Sequence, residues 1–196
     1  MPDDAPLLDA LALSVQAGYL GTAPEAAVAH SQHFIALLGS AEQVLDLGSG
    51  GGVPGLVIAY RCPQVSVVLL DNRRQRTDLL ERLVRRLQLS DRVVVCSGEA
   101  GLAGRDPALR GQFDVVTARS FGPPWSVAEC AAPFLAVGGR VLVSEPPDRA
   151  ERWPADGLAL VGLEFTGTSA EGITTLRQTS ACPADWPRRS PTTPLF

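Results

Sequence analysis

The sequence predicts an α/β protein with a doubly wound, mostly parallel sheet, and three observations lead to this prediction. Short apolar runs of strand length alternate along the chain with longer stretches of helical spacing. A glycine-rich loop at residues 48–52 follows the first apolar run, and the next apolar run ends in a carboxylate, Asp71. A strand, a glycine loop, a helix and an acidic strand end form the βαβ unit of nucleotide-binding sheets.

The N-terminal third contains helices and then the first strand. Residues 8–38 are rich in alanine and leucine with helical spacing, and an interruption near residues 18–24 predicts two short helices. The run at residues 44–47 is apolar apart from Asp46, so we expect a central parallel strand that is covered on both faces. Pro54 lies near the start of the next helix, where its missing N–H costs nothing.

The middle of the chain supplies a helix and two further strands. Residues 73–87 carry leucine and valine along one stripe, which predicts an amphipathic helix on the sheet. Apolar runs at residues 93–96 and 113–118 predict the third and fourth strands. Arg119 directly follows the fourth strand. Open α/β sheets bind ligands at the carboxyl ends of their strands, so this position is a candidate for the site.

The last third predicts a fifth strand and a terminal hairpin. A helix over about residues 125–135 leads through a glycine turn at 138–139 into a strand at 140–144. Two β-like stretches, near residues 158–166 and 173–179, are separated by glycine and serine without a helix, which predicts an antiparallel hairpin. Seven strands with such a hairpin are the class I methyltransferase form of the doubly wound fold, whereas a dinucleotide-binding domain continues with six parallel strands.

Composition predicts one compact, soluble domain in the cytoplasm. The chain has 196 residues and 45% hydrophobic content, enough to bury a full core. We divide it into an N-terminal helical extension at residues 1–40 and a methyltransferase domain at residues 41–196. The acidic N-terminus and the absence of an apolar run of transmembrane length predict no membrane partner. The four cysteines are far apart and His30 and His33 have no third ligand nearby, so we expect no metal.

Charge restricts the partners of the protein. All 17 basic residues are arginines and the formal net charge is −4, which argues against a protein that coats itself in nucleic acid. Six of the arginines lie within residues 73–86. The simplest interpretation of that cluster is a solvated helix face, and a local basic patch is the alternative.

The glycine loop and its neighbours select the cofactor. A dinucleotide fingerprint counted from Gly48 places its third glycine where Val53 stands, so that spacing fails. Asp46 lies in an apolar strand, and a buried carboxylate there needs a hydrogen-bond partner or a cationic ligand. S-adenosylmethionine carries a cationic amino group and a sulfonium, whereas a pyrophosphate is anionic. The sequence therefore predicts S-adenosylmethionine, with Asp71 accepting hydrogen bonds from the ribose hydroxyls.

Four segments resemble one known family. They are residues 45–55, 70–71, 113–120 and 186–189. Together they resemble the bacterial small-subunit ribosomal RNA guanine-N7 methyltransferases, the glucose-inhibited division protein B family, from about residue 28 to the C-terminus. The resemblance implies a class I S-adenosylmethionine-dependent methyltransferase fold. It also implies ribosomal RNA or the small ribosomal subunit as the partner.

The resemblance also implies roles for individual residues. Gly48, Ser49 and Gly50 would lie near the methionine part of the cofactor. Asp71 would bind the ribose, and Asn72 would lie beside the adenine. The resemblance places two more residues at the adenine edge, and these are Glu99 and Ala100. It also implies that the residue after the fourth strand faces the substrate pocket, and this is Arg119.

Departures from the family pattern leave the methyl acceptor open. Residues 30–34 lack the carboxylate and hydroxyl of the His-x-x-Asp-Ser segment that the family tends to have. Residues 144–147 read Ser-Glu-Pro-Pro where the family tends to place Lys-Gly, and the lysine-rich tail of the family is replaced at residues 190–196. Each change removes positive charge or a polar contact from a surface that would meet RNA.

Three functions remain open from the sequence. The first is methylation of guanine N7, which has a free lone pair and needs no general base. Arg119 would then donate to guanine O6 or a phosphate, and Phe121 or Trp125 would stack on the base. The alternative for Arg119 is a salt bridge with Asp114 or Glu145. The alternative for Phe121 and Trp125 is that their rings fill the core or an interface. For a small-molecule hydroxyl or amine, Glu145 would accept or orient the proton. The third function is a cofactor-binding subunit without turnover.

Overall fold

The computed structural model describes residues 3–40, 42–145, 152–188 and 194–196. The chain forms two compact units, Met1–Gly98 and Glu99–Phe196. Within the described ranges, no helix has both the length and the apolar character that crossing a membrane requires. The division into a helical extension and a methyltransferase domain at residue 40 stays a prediction.

The first unit has a parallel sheet with the strand order β3-β2-β1. Its elements are α1 Ala5–Gln16, α2 Pro24–Ile35, β1 Gln43–Leu47, α3 Gly55–Arg61, β2 Ser66–Asp71, α4 Arg74–Arg86 and β3 Val93–Ser97. The two predicted N-terminal helices are confirmed. Strand β1 is buried except at Gln43, as expected for a strand that is covered on both faces. Pro54 is the N-cap residue of α3, as predicted.

The second unit combines parallel and antiparallel strands in the order β4-β5-β7-β6. Its elements are α5 Ala100–Ala103, β4 Phe113–Ala118, α6 Pro124–Ala131, a 3-10 helix Ala132–Phe134, β5 Leu135–Ser144, α7 Ala155–Ala159, β6 Leu163–Thr168 and β7 Ile173–Gln178. Strands β4 and β5 are parallel, whereas β7 is antiparallel to both β5 and β6. The predicted terminal hairpin is confirmed, and the described residues of the two units hold the seven predicted strands.

The prediction for the segment between α6 and β5 was wrong in two respects. Helix α6 ends at Ala131 because Pro133 has no N–H to continue an α-helix, and a 3-10 helix follows. Strand β5 then begins at Leu135, so Gly138 lies inside the strand with φ +90° rather than in a turn before it. The pairing with β4 is irregular between Phe113 and Val115, which leaves room for this extra length.

The predicted sixth strand was also placed too early. Leu158 lies in helix α7, which has Pro154 at its N-cap, and β6 begins only at Leu163. Gly162 has φ +77°, and a Cβ there would lie 2.6 Å from the carbonyl oxygen of Ser180, so the chain turns at this glycine before the strand starts. An apolar run that contains a short helix and a strand has no single period, which explains the error.

Arginine side chains hold the segment after β7 in place. Arg110 donates to the carbonyl oxygens of Cys182, Pro183 and Trp186 at 2.8–2.9 Å. Arg105 donates to the carbonyl oxygen of Asp185 at 3.0 Å. Because these contacts come from side chains and not from a strand, sequence periodicity does not reveal them.

Arg188 forms an ion pair with a buried carboxylate, Glu129. Glu129 is 2% exposed on α6, and its carboxylate accepts from the main-chain N–H, Nε and Nη2 of Arg188 at 2.8, 3.0 and 2.6 Å. The Trp186 ring centroid lies 5.3 Å from the guanidinium carbon of Arg188. Hydrogen bonding with Glu129 raises the pKa of Arg188 above its ordinary value.

Candidate functional site

The glycine loop is bonded to the carboxyl end of β2. The N–H groups of Gly48 and Ser49 donate to the carbonyl oxygen of Leu70 at 2.8 and 3.0 Å. The N–H of Gly50 donates to Oδ2 of Asp71 at 2.9 Å, and Gly50 has φ +53°, a conformation that favours glycine. The structure therefore brings together the loop residues and the acidic strand end that the sequence singled out.

Asp71 links the loop to the start of α4. Its Oδ1 accepts from the N–H of Arg73 at 2.9 Å, and its Oδ2 lies 3.4 Å from Nη1 of Arg76. The side chain of Asp71 is only 3% exposed, whereas the next residue, Asn72, is exposed. Arg76 also lies over the Tyr19 ring, at 5.7 Å from the centroid. Sequence reasoning missed Arg76, although a cation in the first helical turn after an acidic strand end was a usable signal.

Asp46 is held by the glycine that begins α3. It is 1% exposed, and its Oδ2 accepts from the N–H of Gly55 at 3.1 Å. Its carbonyl oxygen accepts from Oγ of Ser49 at 2.9 Å, which fixes the loop against β1. A Cβ at position 55 would lie 2.6 Å from Oδ2 of Asp46 and 2.5 Å from Cδ2 of Leu69. A side chain at position 55 would overlap these atoms, which explains why the residue after Pro54 is glycine.

These residues fit a nucleoside cofactor that carries a positive charge. Two buried carboxylates, Asp46 and Asp71, border one short loop of main-chain amides. An anionic pyrophosphate between them would be repelled, whereas a ribose and an amino group are not. The other two adenine candidates begin the second unit. Glu99 is an exposed N-cap residue of α5 and Ala100 is half-buried.

The second unit has a cavity of about 380 Å³ at the carboxyl ends of β4 and β5. Its lining residues are Ala118, Ser120, Phe121, Gly122, Pro124, Val127, Val143, Ser144, Glu145, Arg152 and Trp153. Glu145 accepts from Nε1 of Trp153 at 2.9 Å and pairs with Arg152. Ser120 has φ +55°, a left-handed conformation that a non-glycine residue rarely adopts.

The catalytic candidates differ in how they meet this cavity. Glu145 lines it, but its side chain is only 7% exposed and both of its oxygens have partners in Arg152 and Trp153. Arg119 is half-buried between two lining residues and is not itself part of the lining. Phe121 lines the cavity, whereas Trp125 does not. Sequence reasoning missed Arg152 and Trp153, because neither residue belongs to a recognisable sequence motif. Pro146 and Pro147 lie outside the described residues.

Three of the four cysteine thiols are poor nucleophiles. Burial raises the pKa of the Cys130 thiol to about 11, and burial also raises the pKa of Cys182 to about 11. Burial raises the pKa of Cys62 as well. These three thiols are protonated at neutral pH, so methylation that needs a thiolate nucleophile finds no support in them. Among the residues with a described structure, no cluster of side chains is arranged to hold a metal ion.

The strand pattern and the loop with its acidic strand end define the class I methyltransferase fold, and solved structures agree. Cofactor-bound Rv0187 from MTB aligns with a TM-score of 0.61 and 21% identity over 90% of this chain and 91% of that one. The antibiotic-resistance methyltransferase Kmr aligns with a TM-score of 0.56 and 16% identity over 76% of this chain and 93% of that one. At these identities the similarity establishes the fold alone.

The family follows from the sequence match. The GidB family model, described as rRNA small subunit methyltransferase G, matches residues 26–152, and the chain belongs to this family. The ribosomal RNA small subunit methyltransferase G of Prochlorococcus marinus (strain MIT 9313) is 33% identical over 157 residues. That alignment covers 74% of this chain and 63% of the relative, so the chain matches less than two thirds of the relative's length. The resemblance stated from the sequence is confirmed.

Proposed function

We propose that the protein transfers the methyl group of S-adenosylmethionine to N7 of a guanine in small-subunit ribosomal RNA. The main support is the glycine loop that Asp46 and Asp71 hold from two strands, in a chain of the GidB family. The cytoplasm, where ribosomal subunits are found, is the location that this function implies.

The first unit supplies the groups that would hold the cofactor. S-adenosylmethionine supplies an electrophilic methyl group on a sulfonium. Asp71 would accept hydrogen bonds from the ribose hydroxyls in place of its 3.4 Å contact with Arg76. The loop amides at residues 48–50 and the Asp46 carboxylate would bind the amino-acid part. Asn72 would contact the adenine, and Glu99 and Ala100 stay candidates for the adenine edge on the family resemblance alone.

The second unit supplies groups for the acceptor base. Guanine N7 attacks the methyl carbon with its own lone pair as the bond from that carbon to sulfur breaks, and the positive charge passes from the sulfonium to the base. No general base is needed, so the protein has to hold N7, the methyl carbon and sulfur in line. Arg119 would donate to guanine O6 or to a neighbouring phosphate, and Phe121 would stack on the base. The cavity of about 380 Å³ falls in the size range of small-ligand sites. Glu145 would shape it by fixing Arg152 and Trp153.

The decisive experiment follows labelled methyl groups from S-adenosylmethionine into two acceptors. One is the small ribosomal subunit from a strain that lacks its own guanine-N7 enzyme, and the other is a small-molecule extract. We expect label in the ribosomal RNA, at a guanine. Label in the extract alone would replace this proposal by a small-molecule methyltransferase with a cavity built around Glu145. Cofactor binding without transfer to either acceptor would indicate a non-catalytic subunit.

Replacement of Asp71 by alanine should weaken S-adenosylmethionine binding by about 1–3 kcal/mol, because two charge-assisted hydrogen bonds to the ribose are lost. Isothermal titration measures the effect. Arg76→Gln is the matched control: it removes the 3.4 Å pair with Asp71 but leaves the carboxylate, so it should not weaken binding. An Asp71→Ala protein with unchanged cofactor affinity would remove Asp71 from the site.

Replacement of Arg119 by alanine should lower kcat by about 10- to 100-fold while cofactor affinity stays near that of the wild type. The reason is that Arg119 would hold the acceptor base in position through guanine O6 or a neighbouring phosphate and would not touch the cofactor. Single-turnover methylation and titration with S-adenosylmethionine separate the two effects. A loss of thermal stability with no specific loss of turnover would instead give Arg119 a structural role, as in the alternative salt bridge with Asp114 or Glu145.

A further inference from the structure

Helix α4 carries a dense row of exposed arginines. Its other side is buried and consists of Thr77, Leu79, Leu80, Leu83 and Val84. We call the exposed side chains of Arg74, Arg82, Arg85 and Arg86 the arginine face. Residues 73–86 hold six arginines and two acidic residues, a local excess of four positive charges in a chain with net charge −4. Arg76 is not part of this face, because it pairs with Asp71.

The acidic neighbours do not neutralise the arginine face. Arg74 and Asp78 are 4.0 Å apart, Arg85 and Glu81 are 3.7 Å apart, and Arg86 lies 4.0 Å from Asp9. These arginine side chains are more than half exposed, so each pair is screened and contributes little. The arginine face therefore keeps its charges exposed and weakly paired.

Helix stability alone does not account for this arrangement. Arg82 and Arg86 are four residues apart, a spacing at which like charges repel on a helix. Arg74 lies in the first turn of α4, where the helix dipole disfavours a cation, whereas Arg85 and Arg86 lie in the last turn, where the dipole favours one. The dipole therefore accounts for Arg85 and Arg86 but not for Arg74 or Arg82. An anionic partner on the helix would relieve the repulsion between the crowded arginines.

We propose that the arginine face of α4 binds the phosphate backbone of the ribosomal RNA substrate, an inference that rests on the proposed function. From Arg74 to Arg86 the face extends for about 18 Å along the helix, long enough for several phosphates of one strand. Each guanidinium presents a planar fork of donors that matches two phosphate oxygens. The site then contacts RNA through backbone phosphates, which explains how an acidic chain without lysine can bind a polyanion.

The test uses the double variant Arg82→Gln/Arg86→Gln, which removes two charges and keeps extended polar side chains. Binding to small ribosomal subunits is measured by co-sedimentation over a range of KCl concentrations at fixed Mg²⁺. We expect about 10-fold weaker binding near 0.1 M salt. The negative slope of log K against log salt should become shallower by about 1.5, the change expected for the loss of two phosphate contacts. Cofactor affinity and thermal unfolding should match the wild type, because both side chains are exposed.

Arg177→Gln is the matched control, since Arg177 is an exposed arginine on β7 with Glu164 in cross-strand register. It should leave both affinity and slope unchanged. If the double variant keeps the wild-type slope while the wild type binds and methylates subunits, the arginine face does not bind RNA phosphates and the proposed function stands. If the wild type neither binds nor methylates subunits, both fail. Competition by polyglutamate but not by polyuridylate would assign the face to an acidic protein and overturn the proposal.

Discussion

Replacement of Gly55 by alanine should destabilise the protein by about 3–5 kcal/mol. The added Cβ would lie 2.5 Å from Cδ2 of Leu69 and 2.6 Å from both Cβ and Oδ2 of Asp46. Overpacking of this kind costs about 1–3 kcal/mol, and a similar cost arises if Asp46 loses its N–H donor while it stays buried. The midpoint of thermal unfolding should therefore fall by about 10 °C or more.

Gly101→Ala is the matched control for this clash. Gly101 lies in α5, and a Cβ added there would meet no neighbouring side chain within 4 Å, so alanine should be tolerated or slightly stabilising. Urea unfolding of both variants at neutral pH gives the comparison. A Gly55→Ala protein as stable as Gly101→Ala would show that Asp46 and Leu69 move aside without cost, and the assignment of Gly55 as a required close approach would be wrong.

Replacement of Arg188 by alanine should destabilise the second unit by about 2–4 kcal/mol. Glu129 is 2% exposed and would lose the Nε and Nη2 donors of Arg188, while the main-chain N–H of residue 188 would remain. Removing one partner of a buried pair leaves a charge without compensation, which costs more than the pair itself contributed. The free energy of unfolding in urea measures the loss.

Two variants separate this effect from a general loss of charge. Arg74→Ala removes an exposed pair with Asp78 on α4 and should leave the unfolding midpoint unchanged. The double variant Glu129→Gln/Arg188→Gln removes both charges and should recover a large part of the stability lost in Arg188→Ala. If Arg188→Ala and Arg74→Ala unfold at the same urea concentration, the buried pair does not stabilise the tail.

Much of the fold followed from local pattern. The run at residues 44–47 was buried as its apolar composition required, and the leucine stripe of α4 determined which side of the helix packs. The errors lie where local signals compete. Pro133 ended α6 earlier than its apolar residues suggested, and the run near Leu158 contains a helix as well as a strand. Register irregularities such as that between Phe113 and Val115 depend on a partner strand, which one segment of sequence does not specify.

The candidate site was predictable in its composition but not in its contacts. The sequence indicated that Asp46 needed a partner, yet the partner, the N–H of Gly55, lies nine residues away and depends on how α3 meets β1. The sequence placed Asp71 at the strand end but did not reveal Arg76 beside it. Arg152 and Trp153 hydrogen-bond with Glu145, and the spacing of residues in the sequence does not indicate these contacts. Side-chain pairing across loops is a property of the folded backbone, and residue spacing does not report it.

Strand β3 has a consequence for how the protein behaves at high concentration. It is the end strand of its sheet, its first residues are three valines and a cysteine, and Val94 is 59% exposed. Arg92, directly before the strand, donates to the carbonyl oxygens of Cys62 and Val65. The five residues of β3 carry no charge of their own, and an apolar edge strand is a template for pairing with another copy. Concentrated solutions should therefore self-associate along β3, and a single charge at position 94 is the most economical way to keep them monodisperse.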